Sequence, residues 1–561
     1  MRFVLALHTH LPYVLNHGRW PHGSDWLSEA VLDTYLPLLE ALLALEHEGT
    51  PTPATIGITP ILANQLASPD LRAELSAFFD QRLTAAREAP ASLASTGDQH
   101  LASLAGYWES RLTRLIRFYE SLDGDLVGAF RGLAERGRIE LMSSAATHGF
   151  LPLLGSDASI RLQIDVGRAE FVRLFGREPL GIWVPECAYR PRGPWRPFAY
   201  SGDGPQRPGI EELIGAAGYK YFFADAHMAR AGGPLGLYGK RVEHDWPEHV
   251  VQASTPGDAR NSPYRAYQVS ARGAGNTVAA FVRDPRSSAQ VWSRHGGYPG
   301  EQWYLEFHKT RWPGGLKYWR VSAPRSDLGD KQPYVPDRAH ASAVAHGRDF
   351  VELLEGVAER EHAGVGGEGV IVAPFDTELF GHWWFEGPEF LTSMWRALAN
   401  GASVRGSSAD AHITDHAPAH GLTLAPGSWG KNGDWSMWNS REVAWTWEEL
   451  WRLEGAFWSI APAALANANA RPVLAQAARS LLLAQSSDWQ FIISTGEADD
   501  YAIKRFREHV HETDMLIAAL RHGGSTGEWD RARSIADALY ARDNIFPDVL
   551  ESLTRVLAGA R

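Results

Sequence analysis

The 561-residue chain has a single cysteine, Cys187, so it can form no internal disulfide and nothing in it marks an oxidising compartment. It has no apolar run near the ~20 residues that a membrane-spanning helix needs. Phe3 to Leu7 is apolar but too short for a signal-peptide core, and His8 and His10 interrupt it. A basic excess is missing too. With 54 Lys and Arg against 66 Asp and Glu, the formal net charge is −12, the wrong sign for replacing counterions on nucleic acid or for meeting anionic lipid. These absences predict a cytoplasmic protein with no nucleic-acid and no membrane partner, acting on a neutral or small substrate. The length predicts two to four structural units.

Tryptophan, by contrast, is plentiful: there are 22, several in polar, glycine-rich stretches. Packing in a core accounts for most tryptophans. Indole and phenol rings also stack on the C–H faces of sugars, so a polar groove walled by Trp and Tyr suits a carbohydrate. The stretch Gly181 to Pro191, GIWVPECAYRP, concentrates this signal. Gly181 to Val184 reads as a buried strand, which Pro185 ends by removing a ladder donor. Glu186 then sits at the strand's carboxyl end, with Trp183, Tyr189 and Trp195 around it. An isolated glutamate is ordinarily a solvated loop residue; the aromatic setting makes Glu186 the first catalytic candidate.

Six further segments read as strands: Phe3–Leu7, Ala54–Thr59, Arg138–Ser144, Lys220–Ala224, Thr277–Val282 and Gly369–Phe375. Helical patterns over Leu27–Glu46, Gly209–Gly218 and His346–Glu359 separate several of them. Ile61 to Arg136 is helical in pattern and too long for one crossover, so residues 69–121 are expected to form a helical insertion. Polar residues fall just after the strands: His8 and His10, His148, Glu186, Asp225, Asp376. Strands alternating with helices, with chemistry at strand carboxyl ends, describe a parallel (β/α) barrel. Seven legible strands fit either a distorted barrel or one with a strand unrecognised. The barrel is assigned to residues 1–415. Beyond it, GSWGKNGDWSMWN (427–439) is loop, and from Glu442 to near Gly559 the chain reads as amphipathic helix. Residues 416–561 are thus expected to be an all-helical C-terminal domain contributing to the cleft. Trp445, Trp447, Trp451 and Trp458 belong to its core, and Ser486-Ser487-Asp488-Trp489 is a polar helix end able to face the barrel mouth.

Other segments leave alternatives open. His8 and His10 alternate onto one side of the first strand's end, where two imidazoles can bind a metal or hydrogen-bond a substrate or neighbour; the absence of evident co-ligands favours hydrogen bonding. Gly232 to Lys240, around Tyr238, is a mobile lid or a plain surface turn. Ser287 to Tyr334, which holds Trp292, is a long aromatic segment of the kind that is usually functional. The seventh strand delivers Asp376 within DTELFGHWW, a second acid. Two carboxylates brought to one aromatic cleft match glycoside cleavage, in which one acid attacks while the other keeps its proton for the leaving oxygen.

In this light the chain resembles glycoside hydrolase family 57, and within it the prokaryotic 1,4-α-glucan branching enzymes. The resemblance rests on His8-Thr9-His10-Leu11-Pro12-Tyr13, Arg138-Ile139-Glu140-Leu141, Trp183 to Pro191, Phe375 to Trp384, Ser428-Trp429-Gly430 and Ser487-Asp488-Trp489. It implies a distorted (β/α)7 barrel with a helical insertion and an all-helical C-terminal domain, and retaining chemistry without metal or cofactor. Glu186 is implied as nucleophile and Asp376 as general acid/base. His10, His148 and Asp488 are implied to bind the sugar, with Trp20, Trp292 and Trp429 as stacking surfaces and Tyr238 as a lid tyrosine. Amylose or glycogen is implied as both donor and acceptor, on a monomer or small homo-oligomer. Trp435 and Met437 depart from residues common after Gly-Lys-Asn-Gly-Asp, which bears on acceptor preference. Competing readings are a 4-α-glucanotransferase or α-amylase of the same family, a metal-dependent hydrolase or deacetylase using His8, His10, Asp225 and His382, and a glycan-binding protein without catalysis.

Overall fold

The computed structural model describes residues 1–19, 22–95, 99–197, 204–232, 261–269, 277–292, 296–312, 314–323, 326–365 and 369–559. Among the described residues, the ring is built of strands that share one direction, β1 Arg2–Thr9, β2 Thr55–Ile58, β3 Glu140–Ser144, β4 Ile182–Trp183, β5 Tyr221–Ala224, β6 Val278–Val282 and β7 Val370–Asp376, and the short strand Arg405–Gly406 pairs in parallel with the start of β1. Neighbours run in parallel in the order β7-β1-β2-β3-β4. One parallel bridge, Gly181 to Tyr221, carries the ring from β4 to β5, and β5 pairs in parallel with β6. Just past β6 the Asp284 amide donates to the Val372 carbonyl of β7 at 2.8 Å. The result is a distorted (β/α)7 barrel, with two seams held by far fewer ladder bonds than the rest. At the β4–β5 seam the approach requires glycine: a Cβ on Gly181 would lie 2.1 Å from the Tyr221 ring.

Alternation along β1 explains both faces. Phe3, Leu5 and Leu7 point outward into the core shared with the surrounding helices, while Val4 and Ala6 point inward among Met142, Val372 and Phe281. His8 is next in the inward register, and its Cα partner across the ladder is Asp376. The barrel interior therefore changes from aliphatic to ionisable at the carboxyl ends of the strands. At its other end Glu140 accepts hydrogen bonds from the Tyr221 hydroxyl and, at 2.7 Å, from Thr55 Oγ1, tying three strands together.

Several short strands escaped the sequence reading, Arg405–Gly406 and Gly421–Leu422 among them. Ala266–Val269 is a strand, antiparallel to β6; four residues with one polar side chain carry too little periodicity to stand out. In SGDGPQRP, read as loop, Gln206–Arg207 pairs with Gly193–Pro194. The helix expected over Leu27–Glu46 runs Ser24–Ala30, Val31–Tyr35 and Leu36–His47, and its middle segment is π-helical. Such widened turns often re-aim side chains at functional sites, and here Tyr35 points to the barrel mouth.

The helices Pro69–Ser95 and Gln99–Ser121 pack together and reach the aromatic segment, where Trp108 Nε1 donates to the Lys317 carbonyl at 2.7 Å. Toward the C-terminus helices follow one another from Ala444 to Gly559. Trp447 and Trp451 are buried there, whereas Trp445 and Trp458 are half-buried. These helices close onto the strand-end loops: Gly149 bridges Ser486, Thr147 Oγ1 donates to the Leu482 carbonyl, and the Arg505 guanidinium donates to the Tyr13 carbonyl at 2.8 Å. Among the described residues no helix is long and apolar enough to cross a membrane.

Candidate active site

Past β4 the chain makes a short turn, Pro185–Cys187, in which Glu186 has φ 61° and Cys187 φ 47°. Left-handed backbone at a residue with a side chain costs of order 1 kcal/mol and persists only where neighbours enforce it. Here the Trp429 amide donates to the Glu186 carbonyl at 3.0 Å, and Tyr189 and Gly427 exchange backbone bonds. The indole of Trp435 donates to the Gly427 carbonyl at 3.0 Å and braces that loop. The strained turn lifts the Glu186 carboxyl into the mouth. Its Oε2 accepts from Trp429 Nε1 at 3.0 Å and its Oε1 accepts from Ser487 Oγ at 3.0 Å. His148 Nδ1 lies 3.6 Å from Oε1. Burial pushes this carboxyl up to about 7, with the Trp429 bond opposing and the Asp376 and Asp488 charges adding.

A stack of imidazoles forms the floor. His8 lies on the Trp183 ring at 4.5 Å, and His10 and His148 stack at 4.0 Å. His8 Nε2 meets His148 Nε2 at 3.0 Å, and burial holds both rings well below their ordinary value, hence neutral. His10 has Nδ1 3.0 Å from Thr59 Oγ1 and Nε2 3.0 Å from Asp488 Oδ2. Asp488 opens the helix Asp488–Thr495, where a carboxylate meets the positive end of the helix dipole. His8 and His10 thus both hydrogen-bond neighbouring side chains. Residues proposed for a metal-dependent hydrolase do not gather. His382 lies by Thr34, which accepts from its amide at 2.9 Å, while Asp225 lies 3.7 Å from Arg283. Among the described residues the one grouping close enough to hold an ion is His509, Glu512 and Asp543, and Arg542 already pairs with both of its carboxylates.

Asp376 ends β7 beside His8. Burial pushes its carboxyl up to about 8, the Glu378 charge adding and the Arg283 charge opposing. Glu378 is itself gripped by the Tyr35 hydroxyl at 2.6 Å and the His10 amide at 3.2 Å. Since the Asp376 charge raises Glu186, acids from the fourth and seventh strands act within one field, and burial raises both above the ordinary carboxyl range.

Glu186, Asp376, His10, His148, Trp429 and Asp488 are therefore brought to one mouth. Trp292 is not shown among them: it ends the helix Pro285–Trp292 and packs at 6.4 Å on Phe375, whose side chain belongs to the outer core. Trp20 and Tyr238 lie outside the described residues. Sequence reasoning gave no role to Ser487, Tyr35, Thr59 or Glu378. Two of these had a visible signal: Glu378 is an acid two residues beyond Asp376, and Ser487 lies in the polar helix end expected to face the barrel mouth.

Comparison with known proteins agrees with this geometry. The model of glycosyl hydrolase family 57 matches residues 4–420, and that of the 1,4-alpha-glucan branching enzyme C-terminal region matches residues 458–552. A 1,4-alpha-glucan branching enzyme of Thermococcus kodakarensis is 36% identical over 549 residues, covering 98% of this chain and 77% of the relative. Its crystal structure superposes with a TM-score of 0.88, at 35% identity over 98% of this chain and 96% of that one. The family 57-type branching enzyme of Pyrococcus horikoshii gives 0.87 at 35% identity, covering 98% and 96%. The α-amylase AmyC of Thermotoga maritima gives 0.78 at 27% identity, covering 98% of each chain. With one family spanning the whole barrel and its acids, and relatives matching almost end to end, the chain belongs to glycosyl hydrolase family 57.

Proposed function

We propose that this chain is a 1,4-α-glucan branching enzyme working by retaining chemistry at Glu186 and Asp376. The observation that carries the reading is the pair itself: two acids at one barrel mouth, both raised above their ordinary range by burial, with the first gripped by two hydrogen-bond donors that favour its charged form. Ionised Glu186 attacks the anomeric carbon of an α-1,4-glucan while Asp376 gives its proton to the departing 4-oxygen. The bond to the leaving chain breaks as the ester to Glu186 forms. Asp376, now a carboxylate, takes the proton of an acceptor sugar's 6-hydroxyl, whose oxygen displaces Glu186 and leaves an α-1,6 branch. His10, His148 and Asp488 bind the sugar at the reacting subsite, and Trp429 offers a stacking face; Trp20, Trp292 and Tyr238 keep the roles implied by the resemblance. The barrel of residues 1–415, its helices at 69–121 and the helical region 416–561 then act together, since Ser487 and Asp488 complete the site. A substrate of neutral α-glucan suits the acidic net charge, and a cytoplasmic monomer or small oligomer suits the lone cysteine.

Proton NMR of amylose after incubation tests the reading: new α-1,6 anomeric signals are expected. Shorter chains with new reducing ends and no α-1,6 signal would favour an amylase, the reading that the likeness to the Thermotoga maritima enzyme supports. Rate against pH offers a second check. Below the range where Glu186 ionises the nucleophile is protonated, and above that of Asp376 the acid is lost, so kcat/KM should be bell-shaped with limbs belonging to the pair. The acid limb should lie well above the ordinary glutamate value of 4.5 and the alkaline limb near about 8. Full activity at pH 4 would contradict this assignment, since both groups would then be protonated.

A further inference from the structure

We infer that Ser487 is a positioning residue which, through His148 and His8, keeps the Glu186 carboxylate as a hydrogen-bond acceptor ready to attack. Three contacts of 3.0 Å run in series: Glu186 Oε1 to Ser487 Oγ, Ser487 Oγ to His148 Nδ1, and His148 Nε2 to His8 Nε2. The backbone fixes the middle of the chain, because the Ser487 amide donates to the His148 carbonyl at 3.1 Å. When Glu186 is ionised the direction of every bond follows. The serine hydroxyl donates to the carboxylate, His148 Nδ1–H donates to the serine oxygen, and His8 Nε2–H donates to His148 Nε2. His8 Nδ1 is then left with a bare lone pair, and it is buried without a hydrogen-bond partner. A protonated Glu186 that donated to Ser487 would reverse the whole series and leave His8 Nδ1 with a buried, unpaired N–H. Unpaired buried donors are the rarer and costlier of the two cases. The far end of the series thereby favours the ionised nucleophile, with no proton passing along it.

The sequence position matters as well as the chemistry. Ser487 is fully buried at 0% exposure, so it touches no sugar. It comes from the segment just before the helix Asp488–Thr495, so the helical region supplies part of the nucleophile's setting directly. The inference rests on Glu186 being the nucleophile, and its test separates the two ideas. Wild type, Ser487→Ala, His8→Asn and the double variant are assayed from pH 4 to 10 with an activated α-maltosyl fluoride, alongside thermal melts and peptide mass analysis of the trapped glycosyl-enzyme. Ser487→Ala is expected to lower kcat about tenfold with KM within about twofold, and to move the acid limb up by about one pH unit, since a donor to the charged form has been removed. His8→Asn should move the limb the same way by less. In the double variant the His8 change should add nothing, because its path to Glu186 is already cut. An acid limb that stays put in a folded Ser487→Ala, or limb shifts that simply add, overturns the inference while the glycosyl-enzyme still forms on Glu186. Absence of that adduct in Asp376→Asn, where the ester is expected to accumulate, overturns the assignment of the nucleophile itself.

Discussion

Glu186→Gln is expected to abolish chain transfer, with kcat down by at least ~10⁴-fold, because an amide neither ionises nor leaves as a carboxylate. The side chain keeps its shape, and one oxygen still accepts from Trp429 Nε1 or from Ser487 Oγ, the two donors that hold it 3.0 Å away on either side. The fold should tolerate the change. Burial raises the Glu186 carboxyl to about 7, which means that the folded state prefers the neutral form. A group raised in this way contributes stability that is fully present below its unfolded value and is lost as pH rises through the folded value. Glutamine is neutral throughout, so the variant's melting temperature at pH 8 should equal or exceed that of wild type, while branching of amylose is undetectable. A folded variant that branches amylose at wild-type rates would remove Glu186 from the chemistry.

Asp376→Asn is expected to separate the two halves of the reaction. Natural α-glucan needs a proton on the departing oxygen, so turnover of amylose should fall by roughly 10³-fold or more. A maltosyl fluoride leaves as fluoride without that proton, so its first step should be nearly spared. The ester on Glu186 would then accumulate, because the base that activates the acceptor hydroxyl is gone. In this scheme Asp376 is still protonated where Glu186 ionises, so a neutral amide in its place should leave the acid limb for the fluoride donor nearly where it is in wild type, while the alkaline limb disappears. Equal losses on amylose and on the fluoride would assign Asp376 to binding rather than to proton transfer.

The sequence revealed the strands of the barrel because each is a short apolar run with a polar residue at its end, as in Phe3–Leu7 before His8 and Gly369–Phe375 before Asp376. Both acids were legible for the same reason: strand carboxyl ends of such barrels face one mouth. Less visible was what grips them. Nothing in the letters around Ser487 distinguishes a serine that donates to a nucleophile from one that caps a helix, since the distinction lies in the chain folding back across a sequence separation of 301 to bring Oγ to Glu186. Tyr35 and Thr59 are hidden likewise, each reaching the mouth from outside the segments that carry its acids. The positive φ at His148 and Glu186 is a second kind of silence. No residue type announces a strained turn there, and only neighbours such as Trp429 enforce it. Trp292 was legible only as an aromatic in a promising segment; in the fold it ends its helix against Phe375, the residue before Asp376.

The most direct test of the account is to incubate Asp376→Asn with α-maltosyl fluoride, digest the protein and weigh its peptides. The account predicts one peptide, spanning the GIWVPECAYRP stretch, heavier by one maltosyl group attached at Glu186, and no such gain in Glu186→Gln. A maltosyl group on any other residue, or fluoride released with no covalent adduct at all, would contradict it.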